Sequence, residues 1–304
     1  MGIKLFSDGV LVIGLSDIKT DSGVSSPAKA CGIREGDIIT HINSEEVNTI
    51  EEVQTLLQDL KGKEMSVRVL RGQEQEQFTA HAVQCSTDGA FKLGAWIRDS
   101  MAGIGTLTFY DPQTGMFGTL GHGINDIDTA LLMPLESGSI MPASVSEVKK
   151  GSSGHPGELR GVFEAGRDLG SLYANTQGGV FGYLTDLSSF HGKAIPVASA
   201  SEIHVGGATI LSNISGDEVG EFKVEIIKLC TENQDTRDLM LRVTDPKLLA
   251  ATGGIVQGMS GSPIIQDGKL VGAVTHVLVN DPATGYGIFA ENMLRIADTA
   301  KNEK

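Results

Sequence analysis

The stretch Gly258-Met259-Ser260-Gly261-Ser262-Pro263 sets a serine among small residues just ahead of an alternating run, Ile264 to Val279. A turn of this form lifts a hydroxyl out of the backbone while neighbouring N–H groups converge on one point, which is the geometry an acyl-transfer nucleophile needs. Glycine at 258 permits the torsions that aim its N–H at a developing oxyanion, and the N–H of Ser260 supplies a second donor. A tight glycine–serine turn joining two strands, with no chemistry, can be written in the same residues. A serine nucleophile also needs a base. Of the seven histidines, His122 is the best placed, because Gly121-His122-Gly123 ends a strand between two glycines, where the backbone bends and the imidazole stays accessible.

Elements must carry these groups to one another. Gly105 to Tyr110, the turn Asp111-Pro112-Gln113-Thr114-Gly115 and Met116 to Leu120 spell a hairpin that delivers His122. Gln266-Asp267-Gly268-Lys269 is a second hairpin turn, followed by a strand that runs through Thr275 and His276. Between the two motifs, Gly179–Leu184, Ala194–Val197, Gly207–Leu211, Glu221–Lys228 and Leu239–Val243 are short, glycine-punctuated strands, the spacing of a barrel or sandwich. Asn292 to Ala300 reads as a closing helix. Asp126 and Asp128 stand close to His122 in sequence and compete as acids, with Asp186 a further candidate. No third or fourth ligand accompanies them, so no metal site is expected. Asp245, followed by Pro246 and Lys-Leu-Leu-Ala-Ala, has the form of a helix N-cap with proline at the first helical position.

The composition agrees with this architecture. A chain of 304 residues with 39 glycines and only 5% aromatics suits many short strands joined by tight turns, in two domains each able to bury a core. A net charge of −14 argues against nucleic acid or an anionic membrane as partner. Cys31, Cys85 and Cys230 are odd in number and widely separated, so buried thiols are expected, without disulfides or zinc. No stretch approaches the roughly 18 apolar residues of a membrane span.

The first quarter reads as a small α+β module. Val10-Leu11-Val12-Ile13 is a strand entered through Asp8-Gly9, and Ser26-Pro27-Ala28-Lys29-Ala30-Cys31-Gly32 is a short helix. Thr49-Ile50-Glu51-Glu52 is a capping box opening a helix with Ile50, Val53, Leu56, Leu57 and Leu60 on one face. Met65 to Val69 and Phe78 to Ala82 follow as strands. With Ala30-Cys31-Gly32-Ile33-Arg34-Glu35-Gly36-Asp37-Ile38-Ile39 at its centre, this order resembles the PDZ domain of bacterial proteases. The resemblance implies a peptide groove between the Thr49–Leu60 helix and the strand through Gly9, Val10, Leu11 and Val12, where a ligand adds as an extra strand. A PDZ fold that only packs against its neighbour is the alternative. The polar segment Cys85–Ala95 marks the boundary, giving a PDZ domain at 1–85 and a second domain at 86–304.

A PDZ module, then Phe117-Gly118-Thr119-Leu120-Gly121-His122-Gly123, then Gly258 to Pro263, resembles the stage IV sporulation protein B peptidases of endospore-forming bacteria. These are serine proteases of the chymotrypsin-like double-barrel clan. The resemblance implies a mainly β chain, a PDZ domain followed by a double β-barrel, with Ser260 as nucleophile, His122 as base and Asp245 as the charge-relay acid. Gly258 and Ser260 would form the oxyanion hole, Thr275 and His276 would line the site, and no cofactor would be needed. Asp245 lies only 15 residues before Ser260, whereas the clan's acid usually sits nearer the histidine. The resemblance further implies a self-cleaving signalling protease that then cleaves a membrane-bound regulator of transcription-factor processing. It would act in the space between forespore and mother-cell membranes, with any N-terminal anchor or export segment outside this chain. A non-catalytic PDZ scaffold and a general quality-control protease are the competing readings.

Overall fold

The computed structural model describes residues 1–164, 166–187, 190, 194–230 and 236–302, which form two compact units. Phe6–Met101 with Asn125–Ser137 make up the first; Met1–Leu5, Ala102–Ile124 and Gly138–Lys304 make up the second.

The first unit contains most of β1 (Gly2–Leu15), then β2 (Ile18–Thr20), β3 (Gly23–Ser25), α1 (Pro27–Cys31), β4 (Ile38–Ile42), β5 (Glu45–Glu46) and α2 (Ile50–Leu60). It continues with β6 (Glu64–Arg71), β7 (Glu74–His81), β8 (Val83–Gln84), β9 (Phe91–Lys92) and the start of β10 (Ala95–Ile104). The sheet runs β1-β4-β6-β7, and β10 also pairs with β1. Thr49 caps α2 as its sequence demands: its hydroxyl accepts the Glu52 N–H and the Glu52 carboxylate accepts the Thr49 N–H. Val53 and Leu57 of that helix pack on Val10, Val12, Ile39, Val67 and Val69. The Gly36-Asp37 turn is set by charge. Asp37 is buried and takes a two-point contact from Arg71, Nε to Oδ1 at 2.7 Å and Nη2 to Oδ2 at 2.8 Å.

In the second unit come β11 (Leu107–Tyr110), β12 (Met116–Thr119), β13 (Ser137–Met141), β14 (Ala143–Lys149), β15 (Glu158–Phe163), β16 (Gly170–Thr176) and β17 (Gly179–Leu184). After them follow β18 (Gly206–Ser215), β19 (Glu218–Leu229), β20 (Leu239–Val243), α3 (Pro246–Thr252), β21 (Pro263–Gln266), β22 (Lys269–Leu278), β23 (Asp281–Phe289) and α4 (Ala290–Asn302). The expected hairpin forms between β11 and β12, with Phe109 opposite Gly118, inside the order β11-β12-β17-β16-β13. Strands β18-β19-β20-β23-β22-β21 close a six-stranded barrel. Its inward residues, among them Ile210, Val224, Ile226, Leu241, Ile264, Val271 and Val274, make one apolar core. α4 begins two residues earlier than its periodicity suggests. Buried Asp238 accepts the Phe289 N–H at 2.7 Å and the Asn292 amide at 2.8 Å, anchoring the first turn.

Candidate active site

Ser260 sits in a turn held from both sides. Its carbonyl accepts the Thr106 N–H at 3.0 Å, the Gly261 carbonyl accepts the Thr108 hydroxyl at 2.8 Å, and the Gly261 N–H donates to Val274 at 2.8 Å. Gly261 has φ +89°, and a Cβ there would lie 2.2 Å from the Thr106 carbonyl oxygen, so only glycine fits. Gly258 has φ +95°. The N–H groups of Gly258 and Ser260 donate to no protein acceptor among the described residues, although the intervening Met259 N–H is taken by Val256. Two adjacent donors are thus left for an incoming oxygen, as an oxyanion hole requires.

His122 arrives on a bent turn. Leu120 and Gly121 both have left-handed φ, +67° and +69°. A Cβ on Gly121 would lie 2.8 Å from side-chain atoms of Thr275 and Ile288, so the turn lies flat on β22 and β23. The Ser260 hydroxyl donates to the Thr275 carbonyl at 3.0 Å, and the His122 ring lies 5.4 Å, centre to centre, from that of His276. Thr275 and His276, expected to line the site, thus touch Ser260 and His122 respectively. No hydrogen bond joins Ser260 to His122 directly; the serine proton is parked on Thr275. The buried Thr275 hydroxyl has no hydrogen-bond partner among the described residues, a cost of about 1–3 kcal/mol. Burial pushes the His122 pKa below its ordinary 6.5, partly offset by the Gly123 carbonyl 2.8 Å from Nδ1. The imidazole is thereby kept neutral, the form a general base needs.

Asp245, the acid that the resemblance implies, begins a helix. Asp245 is the N-cap of α3, with Oδ1 accepting the N–H groups of Lys247 at 2.9 Å and Leu248 at 3.2 Å, and Oδ2 that of Lys223 at 3.3 Å. Partial burial raises its pKa, but these bonds outweigh that and lower it overall. It lies beyond the end of β20, whereas Ser260 and His122 gather on β22, two strands away in the barrel. The register pairs Met240 with Tyr286 and Tyr286 with His276, leaving Asp245 roughly 10 Å sideways and about 16 Å along the strands from His276. Asp126 is buried too, tied to Arg98 and accepting the N–H of Asp128 at 3.0 Å and of Thr129 at 2.9 Å; Asp128 bonds Arg98 at 2.8 Å. Asp186 lies just past β17 and is not a hydrogen-bond partner of His122. Among the described residues, no cluster of His, Cys, Asp or Glu is placed to hold a metal ion.

The reading of the residues did not anticipate β15. Leu159 donates to the Gln257 carbonyl at 2.8 Å, Gln257 donates to Gly157 at 3.0 Å, and Leu159 covers Gly258. Beside that glycine opens a cavity of about 500 Å³, lined also by Ile104, Glu158, Arg160 and Gln257.

The peptide groove is also relocated. Val10, Leu11 and Val12 are 0–1% exposed, and β1, which runs through Gly9, pairs with both β4 and β10, so this strand has no free edge for a ligand. The groove is a cavity of about 990 Å³ between α2, through Ile50, Val53, Gln54 and Leu57, and the start of β10, through Trp96 and Ile97. Its edge falls in Leu93-Gly94-Ala95-Trp96-Ile97, which begins inside the Cys85–Ala95 segment read as the domain boundary. The signal was there: a glycine, with φ +78°, between two apolar runs.

Comparison with known proteins follows these features. The family model described as SpoIVB peptidase S55 matches residues 89–294, and a PDZ domain model matches residues 20–71. No curated protein matches the chain. Among solved structures, the PDZ domain of an SdrC-like protein from Listeria monocytogenes is 22% identical over 30% of this chain and 87% of its own, with a TM-score of 0.24. The HtrA-type protease AlgW with a decapeptide is 13% identical over 67% of this chain and 54% of its own, at 0.40. The active form of the Rv3671c protease from M. tuberculosis is 16% identical over 65% and 74%, at 0.36. With its family match spanning the serine turn, the histidine turn and everything between, the chain belongs to the SpoIVB peptidase S55 family, and is a serine endopeptidase that carries a PDZ domain.

Proposed function

We propose that Ser260 is the nucleophile and His122 the general base of this peptidase, with the N–H groups of Gly258 and Ser260 receiving the oxyanion. The observation that carries this is the meeting of Ser260 and His122 on Thr275 and His276 beside two uncommitted N–H donors. Attack on a scissile carbonyl requires the Ser260 hydroxyl to turn from Thr275 toward His122, which takes the proton and returns it to the leaving amine. The contacts seen here describe a resting site that substrate would complete.

The family supports a role in sporulation signalling: self-cleavage, then cleavage of a membrane-bound regulatory protein, with the enzyme exported to the space between forespore and mother cell. The relocated groove supports a peptide held along β10 against α2. A fluorophosphonate probe should label the protein once, at Ser260, and Ser260→Ala should abolish both labelling and peptide hydrolysis while leaving the melting temperature within a degree or two. Hydrolysis by a folded Ser260→Ala protein would refute the assignment.

A further inference from the structure

With Asp245 committed to α3, His122 still needs something to fix its tautomer and its orientation, and the peptide unit joining Gly123 to Ile124 does both. The Gly123 carbonyl lies 2.8 Å from His122 Nδ1. A carbonyl only accepts, so Nδ1 carries the proton and Nε2 presents its lone pair. The N–H at the other end of the same peptide, that of Ile124, donates to Oδ1 of Asn175 at 2.8 Å, and Asn175 Nδ2 donates to the Ile124 carbonyl at 3.0 Å. Asn175 thus grips Ile124 at both main-chain groups. Its own position is rigid. It stands on β16 opposite Val180 of β17, which stands opposite Thr119 of β12, the last strand residue before the histidine turn. The five residues from Leu120 to Ile124 are therefore closed into a loop at both ends. Within it, Leu120 holds a left-handed φ that a branched side chain adopts only when its surroundings impose it.

Resting on the Ser260–His122 reading above, we propose that Asn175 is the positioning residue of this active site. It acts on His122 through the Gly123–Ile124 peptide, in a chain of two hydrogen bonds from its amide to the imidazole, with the bond to the Ile124 carbonyl fixing the amide beside it. Each bond in the chain polarises the next. A neutral amide and a peptide dipole thereby perform the orienting part of the work usually given to a carboxylate.

The test separates this from a merely structural role. In ¹⁵N-labelled protein, the His122 ring should show a single tautomer with the proton on Nδ1, and Asn175→Ala should convert it to a mixture. The same variant should lose about 10- to 100-fold in kcat on a short peptide with KM unchanged, the size expected from a slightly misplaced base. Asn175→Asp still accepts the Ile124 N–H and should recover most of that loss. A wild-type His122 protonated on Nε2, an Asn175→Ala enzyme with normal kcat, or an Asn175→Asp enzyme as slow as Asn175→Ala would each overturn the proposal. If Asn175→Ala does not fold, Asn175→Asp carries the same two readouts and must keep the Nδ1 tautomer. The tautomer measurement needs no turnover, so it judges Asn175 even if Ser260→Ala were to show that the nucleophile is elsewhere.

Discussion

Asp245 shows how one residue can satisfy two sequence patterns and serve only one of them. Its place before Pro246 reads as a cap and its order after His122 reads as a triad acid. The structure shows it as the cap. Asn can cap a helix as well as Asp, so Asp245→Asn should keep both melting temperature and peptide turnover near normal. Asp245→Ala should lower stability by about 1 kcal/mol, seen as an earlier denaturant midpoint. A fall in turnover on the order of 10⁴ in Asp245→Asn, with the midpoint unchanged, would instead mark it as a triad acid that reaches His122 during catalysis. Ser260, His122 and Gly258 were legible as candidates at this scale, because they are marked by residue type and by turns that only small residues can make.

Secondary elements with strong local signals form where the sequence places them. The capping box at Thr49 and the hairpin turn at Asp111–Gly115 each satisfy their hydrogen bonds within a few residues. The groove was misplaced because its edge depends on which neighbour a strand finds. Val10 to Val12 alternate no more and no less than an edge strand would, but β10 covers them and becomes the edge itself. Ile50→Arg, at the first position of α2, projects into the relocated groove and is neutral for helix formation. It should leave hydrolysis of a short peptide intact and reduce cleavage of a protein substrate at least several-fold, read from kcat/KM on the two substrates. Equal rates on both would mean that this groove does not hold the substrate.

In the whole molecule the two units are not consecutive segments. Met1–Leu5 belong with the catalytic unit, where the Met1 amine donates to the Gly105 carbonyl at 2.8 Å and the Gly105 N–H donates to Met1 at 2.9 Å. Gly105 is followed by Thr106, whose N–H holds the Ser260 carbonyl. Deleting residues 1–85 should therefore weaken the catalytic unit as well as remove the PDZ domain. The truncated protein should melt several degrees lower and label more slowly with a fluorophosphonate. A truncation as stable and as reactive as the full chain would show that the Met1–Leu5 segment contributes nothing to the Ser260 turn.

Composition, periodicity and small-residue motifs by themselves determined the class of fold and the presence of a PDZ module and a peptidase module, and they singled out Ser260, His122 and Gly258 as candidates. Each of those rests on local chemistry: a glycine where φ must be positive, a cap where N–H groups need an acceptor, an alternation where one face is buried. Three matters were decided only by tertiary structure: that Asp245 faces a helix and not an imidazole, that β10 and not β1 borders α2, and that Asn175 grips the peptide beside His122 across 51 residues of chain. All three are pairings between distant segments. Strand register sets which residues meet, and two registers that bury the same apolar face cannot be told apart until the strands on either side are known.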